Sequence, residues 1–183
     1  MPHRYFPAIG LGLALGAASG APASAQPVSA PQSFEAEIVG RDGNAIGNVL
    51  IRSGANATVV RVTVQAGGLT PGWHCIHFHR VGDCSDTGKF EKSGSHINTE
   101  GAKHGMLNDE GPDEGDLPNI FAAADGSVSA ELSTHIITLE GEPALLDEDG
   151  SALVIHSNAD DHATQPIGGA GDRIACAVIK SGA

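Results

Sequence analysis

Histidine and cysteine are concentrated in one short segment of the sequence, WHCIHFHRVGDC, residues 73–84. The chain has nine histidines and three cysteines, and this segment holds three of the histidines and two of the cysteines. Side chains alternate between the two faces of a β-strand, so His77 and His79 would project from one face while Ile76 and Phe78 face the core. Two neutral imidazoles at this spacing can chelate one copper or zinc ion. A lone His-x-His pair can equally be two solvated surface residues.

Further candidate ligands follow in two segments, 82–119 and 157–172, which are rich in Gly, Asp, Pro and His and show no sustained alternation. Long loops in a compact domain are either disordered or functional, and the histidines in both segments favour a functional role. The candidate ligands in or beside these segments are His96, His104, Asp113, Asp116, His156 and Asp160.

The elements that must position these groups are short β-strands. The chain of 183 residues has 40% hydrophobic residues, only 4% aromatic residues and 25 glycines, a composition typical of small or β-branched core residues and many turns. Alternation is clearest at Val60, Val62 and Val64. The pattern predicts an all-β fold, an eight-stranded antiparallel Greek-key barrel or sandwich of immunoglobulin-like type with two long functional loops. The predicted strands lie near residues 34–38, 49–52, 60–65, 73–81, 128–132, 135–139, 153–156 and 174–179.

The N-terminal segment has the pattern of a cleaved signal peptide. Arg4 precedes an apolar, glycine-rich run, and a small-x-small site ends at Ala25. We therefore expect residues 1–25 to be removed, residues 26–33 to form a flexible leader and residues 34–183 to form one domain in the periplasm or outside the cell. The formal charge is −12, and removal of Arg4 would leave −13, which argues against a nucleic-acid or anionic-membrane partner.

Five motifs, taken in order, closely resemble the exported bacterial copper/zinc superoxide dismutases. The resemblance runs from about Phe34 to Ile179 and is highly specific when the motifs are taken together. They read HFH, GSHINTEGAKHG, GDLPN, LVIHSNADD and GGAGDRIACAVI.

The resemblance implies a two-metal site. A copper ion would be held on the outer face of the barrel, and His96 would bridge it to a zinc ion. Asp160 would accept hydrogen bonds from one histidine of each metal, and Arg173 would guard the mouth of the copper channel. The implied copper ligands are His77, His79, His96 and His156. The implied zinc ligands are His96, His104 and Asp116, and Asp113 stands at the position of the fourth.

The implied reaction is dismutation of superoxide to oxygen and hydrogen peroxide by a redox-cycling copper ion, as a defence against oxidants outside the cytoplasm. His96 and Arg173 are then the expected catalytic residues, His96 as a proton donor and Arg173 as the group that attracts the anion. Two alternatives stay open at this point: a non-enzymatic protein that sequesters or delivers copper on the same barrel, and a dismutase that uses copper alone. A homodimer is also left open.

The sequence departs from the family at two positions. Asp113 stands where the family has a histidine, so it is either a zinc ligand or a solvated member of an acidic run with Glu110 and Glu114. Cys75 stands where the family commonly has glycine, while Cys84 and Cys176 match the family's disulfide. The thiol of Cys75 could be inert, an oxidation target or a weak extra ligand, and we favour the inert thiol.

Overall fold

A computed structural model describes Met1 and residues 32–182, and this part of the chain contains nine β-strands and one short 3₁₀ helix, Glu91–Ser93. The all-β prediction is confirmed, although nine strands replace the expected eight. The strands are β1 Gln32–Gly40, β2 Ala45–Ser53, β3 Thr58–Val64, β4 Gly72–His74, β5 Ile76–His79, β6 Ile120–Ala122, β7 Val128–Thr134, β8 Ser151–His156 and β9 Arg173–Ile179.

Seven of the strands form one antiparallel sheet in the order β5-β8-β9-β1-β2-β3-β7, and β4 pairs with β6 in a second, two-stranded sheet. β1, β2 and β3 are consecutive neighbours, whereas β9 returns from the end of the chain to lie beside β1, a connection of the Greek-key kind. β1 and β9 meet at only two residue pairs, Val39 with Cys176 and Gly40 with Ala175. The curled sheet therefore encloses one main core.

The core follows from strand alternation. Val60, Val62 and Val64 are buried on β3, while Arg61 and Thr63 between them are exposed. Their neighbours across the sheet repeat the pattern, because antiparallel pairing places residues of the same face opposite each other. The largest fully buried side chains are Phe78, Phe90, Ile38, Ile51, Ile76, Leu117, Ile120, Ile137, Leu139, Leu145, Leu153 and Ile155.

The single strand predicted for residues 73–81 is wrong, because the strand breaks at Cys75. The segment before the break, β4, pairs with β6, and the segment after it, β5, pairs with β8. At the break, the backbone N–H of Cys75 donates to the carbonyl of Asn158 at 2.8 Å. A change of partner at one residue leaves the alternation of side chains unchanged, so the sequence pattern does not reveal it.

The strand predicted for residues 135–139 is also wrong. β7 ends at Thr134, yet Ile137 and Leu139 are buried, and side-chain hydroxyls bond their backbone: Thr58 donates to the carbonyl of Ile137, and Ser53 accepts from the N–H of Leu139. An irregular segment thus contributes alternate apolar residues to the core. The short strand β6 has only three residues, too few for a period to register.

Two long loops and a disulfide complete the domain. The Cys84–Cys176 disulfide, which the family resemblance implied, is present and ties the first long loop to β9 across a sequence separation of 92. β1 begins at Gln32, two residues before the predicted start of the domain, and residues 2–25 of the predicted signal peptide and residues 26–31 of the leader lie outside the described residues. Among the described residues, no helix has the length and apolar character needed to span a membrane.

Candidate metal centre

Four histidines come together on the face of the sheet that points away from the main core. β5 supplies His77 and His79, the end of β8 supplies His156, and the first long loop supplies His96. The register of β5 against β8 brings the ring centroids of His77 and His156 to 5.2 Å. The centroid of His96 lies 4.1 Å from that of His77 and 5.2 Å from that of His79. All four residues are buried.

Each of these histidines has one ring nitrogen hydrogen-bonded and the other free of any partner among the described residues. Nε2 of His77 faces Asp160, and Nδ1 of His79 faces the carbonyl of Gly94. Nδ1 of His96 faces Asp113, and Nδ1 of His156 faces the carbonyl of Gly171. A proton on the engaged nitrogen leaves a lone pair on the other, which is what a metal requires. The buried nitrogens without a partner are Nδ1 of His77 and Nε2 of His79, His96 and His156.

Burial keeps three of these rings neutral. It lowers the pKa of His77, places that of His79 well below its ordinary value and lowers that of His156 to about 3. Neutral imidazoles that converge in a buried site form a donor set that suits copper. The four free nitrogens therefore fit a copper ion.

Carboxylates face the second nitrogen of His96 and a fifth histidine. Nδ1 of His96 lies 3.1 Å from Oδ2 of Asp113 and 3.7 Å from Oδ1 of Asp116. Nδ1 of His104 lies 2.6 Å from Oδ1 of Asp116. Potential ligand atoms of His77, His96, His104 and Asp116 all lie within 4.8 Å of one another. The imidazoles of His96 and His104 and the carboxylates of Asp113 and Asp116 form a nitrogen and oxygen donor set that fits a zinc ion.

Asp113 does not face water. It is 3% exposed, and its Oδ1 accepts the backbone N–H of Gly115 while its Oδ2 faces His96. Glu114 is also buried and accepts hydrogen bonds from the backbone and hydroxyl of Thr99. The reading in which Asp113 belongs to a solvated acidic run with Glu114 is therefore wrong. Glu110, by contrast, is exposed.

Asp160 joins the two halves of the site. Its Oδ2 lies 2.8 Å from Nε2 of His77, and its Oδ1 lies 3.1 Å from Nε2 of His104. Burial opposes the charge of this carboxyl group, but the hydrogen bonds with the two histidines hold the pKa of Asp160 well below its ordinary value. One carboxylate thus orients a histidine of the copper set and a histidine of the zinc set.

The pocket around His104 attracts positive charge. Burial alone would lower the pKa of His104, but its hydrogen bonds with Asp116 and Asp160 raise it to about 10. A proton therefore occupies this ring in the metal-free protein, at a place where a bound zinc ion would supply the positive charge instead.

Glycine allows the loops to approach the ligands closely. A Cβ atom on Gly115 would lie 2.4 Å from the carbonyl oxygen of Phe78, on the strand between the two histidines of β5. Gly168 has φ +58°, and its Cβ would overlap the carboxylate of Asp160. Both positions require glycine for the loops to reach the site.

Arg173 lines an open pocket of about 320 Å³, called the channel below, whose walls also include His79, His96 and His156. Its guanidinium donates to the carbonyl oxygens of Phe90 at 2.7 Å and Gly94 at 2.8 Å. Phe90 is fully buried beside the disulfide, so the disulfide loop orients this cation. Sequence reasoning predicted Arg173 but missed the residues that hold it, because backbone carbonyls leave no signal in residue types.

Arg41 is a second arginine near the channel, and sequence reasoning did not single it out. It lines a cavity next to the channel together with Lys89 and Arg173, and it is paired with Asp172 at 3.3 Å. Lys89 lies 3.8 Å from Glu91, so its charge is partly offset.

Both ring nitrogens of His74 face backbone carbonyl oxygens. Its Nδ1 lies 2.7 Å from the carbonyl oxygen of His156, and its Nε2 lies 2.8 Å from that of Thr70. It thereby braces the end of β8 that carries a copper-set histidine. Cys75 is a free, buried thiol, and its sulfur lies within 4.8 Å of potential ligand atoms of His77 and His156.

Comparison with known proteins agrees with this geometry. The sequence profile of the family described as copper/zinc superoxide dismutase (SODC) matches residues 45–179. Superoxide dismutase [Cu-Zn] of Caulobacter vibrioides is 48% identical over 152 residues, which cover 81% of this chain and 86% of that protein.

Solved structures give the same result. A SOD-like protein from Bacillus subtilis is 34% identical with a TM-score of 0.74, and the match covers 79% of this chain and 97% of that one. Cu/Zn superoxide dismutase from Brucella abortus is 28% identical with a TM-score of 0.64, covering 81% and 99%. The likeness confirms the Greek-key β-barrel. The conserved fold, the two adjoining donor sets and the match over most of the described domain place this chain in the copper/zinc superoxide dismutase family.

Proposed function

We propose that this protein dismutates superoxide at a copper ion bound by His77, His79, His96 and His156. The observation that carries the proposal is the convergence of four buried ring nitrogens without partners, each on a ring whose other nitrogen is engaged. When bound, copper would supply the one-electron chemistry by which one superoxide is oxidised to oxygen and a second, with two protons, is reduced to hydrogen peroxide.

We assign the zinc site to His96, His104, Asp113 and Asp116. His96 is shared between the two sites because its Nε2 belongs to the copper set and its Nδ1 faces the carboxylates. A redox-inert zinc ion would anchor the first long loop and fix the ring of His96. Asp160 would keep His77 and His104 in the tautomers that leave their metal-facing nitrogens free.

Arg173 and His96 act on the substrate and its protons in this proposal. Arg173 lines the channel with its guanidinium half-buried, so its charge is less screened than that of a surface arginine and attracts an anion despite the net charge of −12. His96 lines the same channel, and its Nε2 can hold a proton for the product when it is not bound to metal.

Superoxide decay measured by pulse radiolysis tests the proposal. The protein loaded with copper and zinc is compared with its metal-free form and with the copper-only form. We expect fast decay that depends on copper. No decay above the metal-free control, with copper shown to be bound, would instead identify a protein that sequesters or delivers copper. Equal rates with and without zinc would favour a dismutase that needs copper alone.

We also propose that two copies associate through the face that carries Trp73 and Phe121. These residues are paired across β4 and β6, with ring centroids 5.1 Å apart, and are 58% and 54% exposed. An exposed aromatic pair on a short open sheet is a surface that association would cover. Sedimentation of the wild-type protein and the Trp73→Ser/Phe121→Ser variant tests this. A dimer that dissociates in the variant supports it, whereas a wild-type monomer contradicts it.

We place the protein in the periplasm or outside the cell. The Cys84–Cys176 disulfide supports this location because disulfides persist in oxidising compartments. Fractionation of cells and N-terminal sequencing of the isolated protein test the location. A chain that begins near Gln26 supports export with cleavage, and an intact N-terminus in the cytoplasm contradicts it.

A further inference from the structure

Cys75 occupies a position in the metal centre for which the dismutase chemistry has no use. It is the free cysteine of the described chain and is 0% exposed. The backbone N–H of His156 donates to the carbonyl of Cys75 at 2.9 Å, so the two residues face each other across adjacent strands. His77 lies two residues further along, on the same face as Cys75. The thiol is thus built into the wall between two histidines of the copper set.

The surroundings of the thiol point to a ligand. The sulfur of Cys75, a ring nitrogen of His77 and a ring nitrogen of His156 all lie within 4.8 Å of one another. Both histidines are at least nine-tenths buried, and each carries a nitrogen without a partner, Nδ1 of His77 and Nε2 of His156. These unpartnered imidazoles are an observation independent of the cysteine itself.

The donor set differs from that of the proposed catalytic copper site in containing sulfur. Thiolate is a soft ligand that selects Cu(I), whereas four imidazoles accept both oxidation states. We propose that Cys75, His77 and His156 form a three-coordinate Cu(I) site beside the catalytic position. This inference rests on the proposed function, because the two sites share His77 and His156.

Replacement of the thiol proton of Cys75 by Cu(I) leaves the net charge of the buried pocket unchanged. When Cu(I) binds, a copper–sulfur bond forms, the S–H bond breaks and the proton leaves to solvent. One positive charge replaces another, so the buried pocket gains no net charge, and no electron is transferred.

X-ray absorption at the copper edge tests the site directly. The metal-free protein is given one equivalent of Cu(I) under anaerobic conditions, and the spectrum is compared with that of Cys75→Ser, which keeps the size of the side chain but replaces the sulfur. We expect one sulfur neighbour of copper in the wild-type protein and none in the variant. A wild-type spectrum with nitrogen neighbours alone would overturn the proposal, as would a sulfur neighbour that persists in Cys75→Ser.

Competition with a chromophoric Cu(I) chelator gives a second readout. Even outer-shell partners of metal ligands contribute 10- to 100-fold, so loss of a true ligand in Cys75→Ser or Cys75→Ala should weaken Cu(I) binding by at least about tenfold. Equal Cu(I) affinities would contradict the proposal. Because the wild-type spectrum needs no variant, a variant that fails to fold leaves the test intact.

His79→Ala separates this site from the catalytic one. His79 belongs to the copper set but not to the three proposed ligands, so the variant should retain the copper–sulfur signal, and loss of that signal would count against the site. The superoxide decay of the wild-type protein loaded with copper and zinc is measured separately. Absence of that decay would refute the proposed function, whereas absence of the sulfur neighbour would refute only the Cu(I) site.

Discussion

Asp113 places Oδ2 3.1 Å from Nδ1 of His96, and both side chains are buried. The carboxylate thus faces the ring nitrogen on the side away from the proposed copper position. We expect Asp113→Ala to weaken zinc binding by at least about tenfold, since an oxygen donor of the zinc site is removed. Competition with a zinc chelator measures this. Glu110→Ala removes an exposed carboxylate of the same segment and is the control, and equal losses in the two variants would argue against Asp113 as a ligand.

Asp160 should affect both metals. Asp160→Ala removes the carboxylate whose two oxygens accept hydrogen bonds from His77 and His104, so both rings lose the partner that fixes their tautomers. We expect the affinities for zinc and for copper each to fall by roughly 10- to 100-fold. The neighbouring Asp161→Ala is the matched control, because Asp161 is exposed and accepts hydrogen bonds from the backbone N–H groups of Ala163 and Thr164, away from the metal centre. A loss confined to one metal would show that Asp160 does not couple the sites.

Arg173→Glu should slow dismutation without loss of copper. The substitution replaces a cation at the channel with an anion, so the rate should fall by roughly tenfold or more at low ionic strength, and added salt should raise the rate rather than lower it. Pulse radiolysis over a range of salt concentrations measures both effects. Arg52→Glu makes the same charge change at an exposed position on β2. If the two variants behave alike, net charge rather than position accounts for the change.

The disulfide should contribute to both stability and activity. Closing a loop of 92 residues contributes about 4 to 5 kcal/mol in the chain-entropy model, so the Cys84→Ser/Cys176→Ser variant should lose a comparable free energy of unfolding. The rate should fall as well, because the disulfide packs on Phe90, whose carbonyl holds Arg173. Denaturant unfolding and pulse radiolysis test the two effects. A stable variant with an unchanged rate would contradict this coupling.

The metal-free protein should lose stability in mild acid. Burial lowers the folded-state pKa of His156 to about 3, whereas the ordinary value is 6.5. Between these two pH values the unfolded chain binds a proton at His156 and the folded chain does not. This contribution is present above about pH 6.5 and is lost as the pH falls towards 3, which amounts to about 2 kcal/mol between pH 7.5 and 5 from His156 alone. His77 and His79 act in the same direction.

The raised pKa of His104 has the opposite sign. Its contribution is complete only below about pH 6.5 and is lost as the pH rises towards about 10. Between pH 7.5 and 5 it therefore grows by roughly 1 kcal/mol and offsets part of the loss from His77, His79 and His156. Denaturant unfolding of the metal-free protein at pH 7.5, 6 and 5 measures the sum. Constant stability over this range would show that the buried histidines do not remain neutral in the folded state. Copper should suppress the acid loss by occupying the same nitrogens.

Local patterns were sufficient wherever a strand obeys one period. The alternation at Val60, Val62 and Val64 predicted both the strand and its buried face. The same rule placed Ile76 and Phe78 in the core with His77 and His79 on the opposite face. At Cys75 the strand changes its pairing partner while the alternation of side chains continues, and there the prediction was wrong. The partner of a strand is determined by residues distant in the sequence.

Residue types and their order determined which groups are available for chemistry: five histidines, two aspartates, one arginine and a cysteine pair that resemble one family, and Asp113 where that family has a histidine. Only the tertiary structure decided how they are used. In the folded protein Asp113 is buried against His96, and Asp160 accepts hydrogen bonds from both His77 and His104. The carbonyl of Phe90 accepts a hydrogen bond from Arg173. The loops that make these contacts have no period, so their conformation is set by packing and hydrogen bonds between residues far apart in the chain, such as His77 and Asp160, which no local pattern encodes.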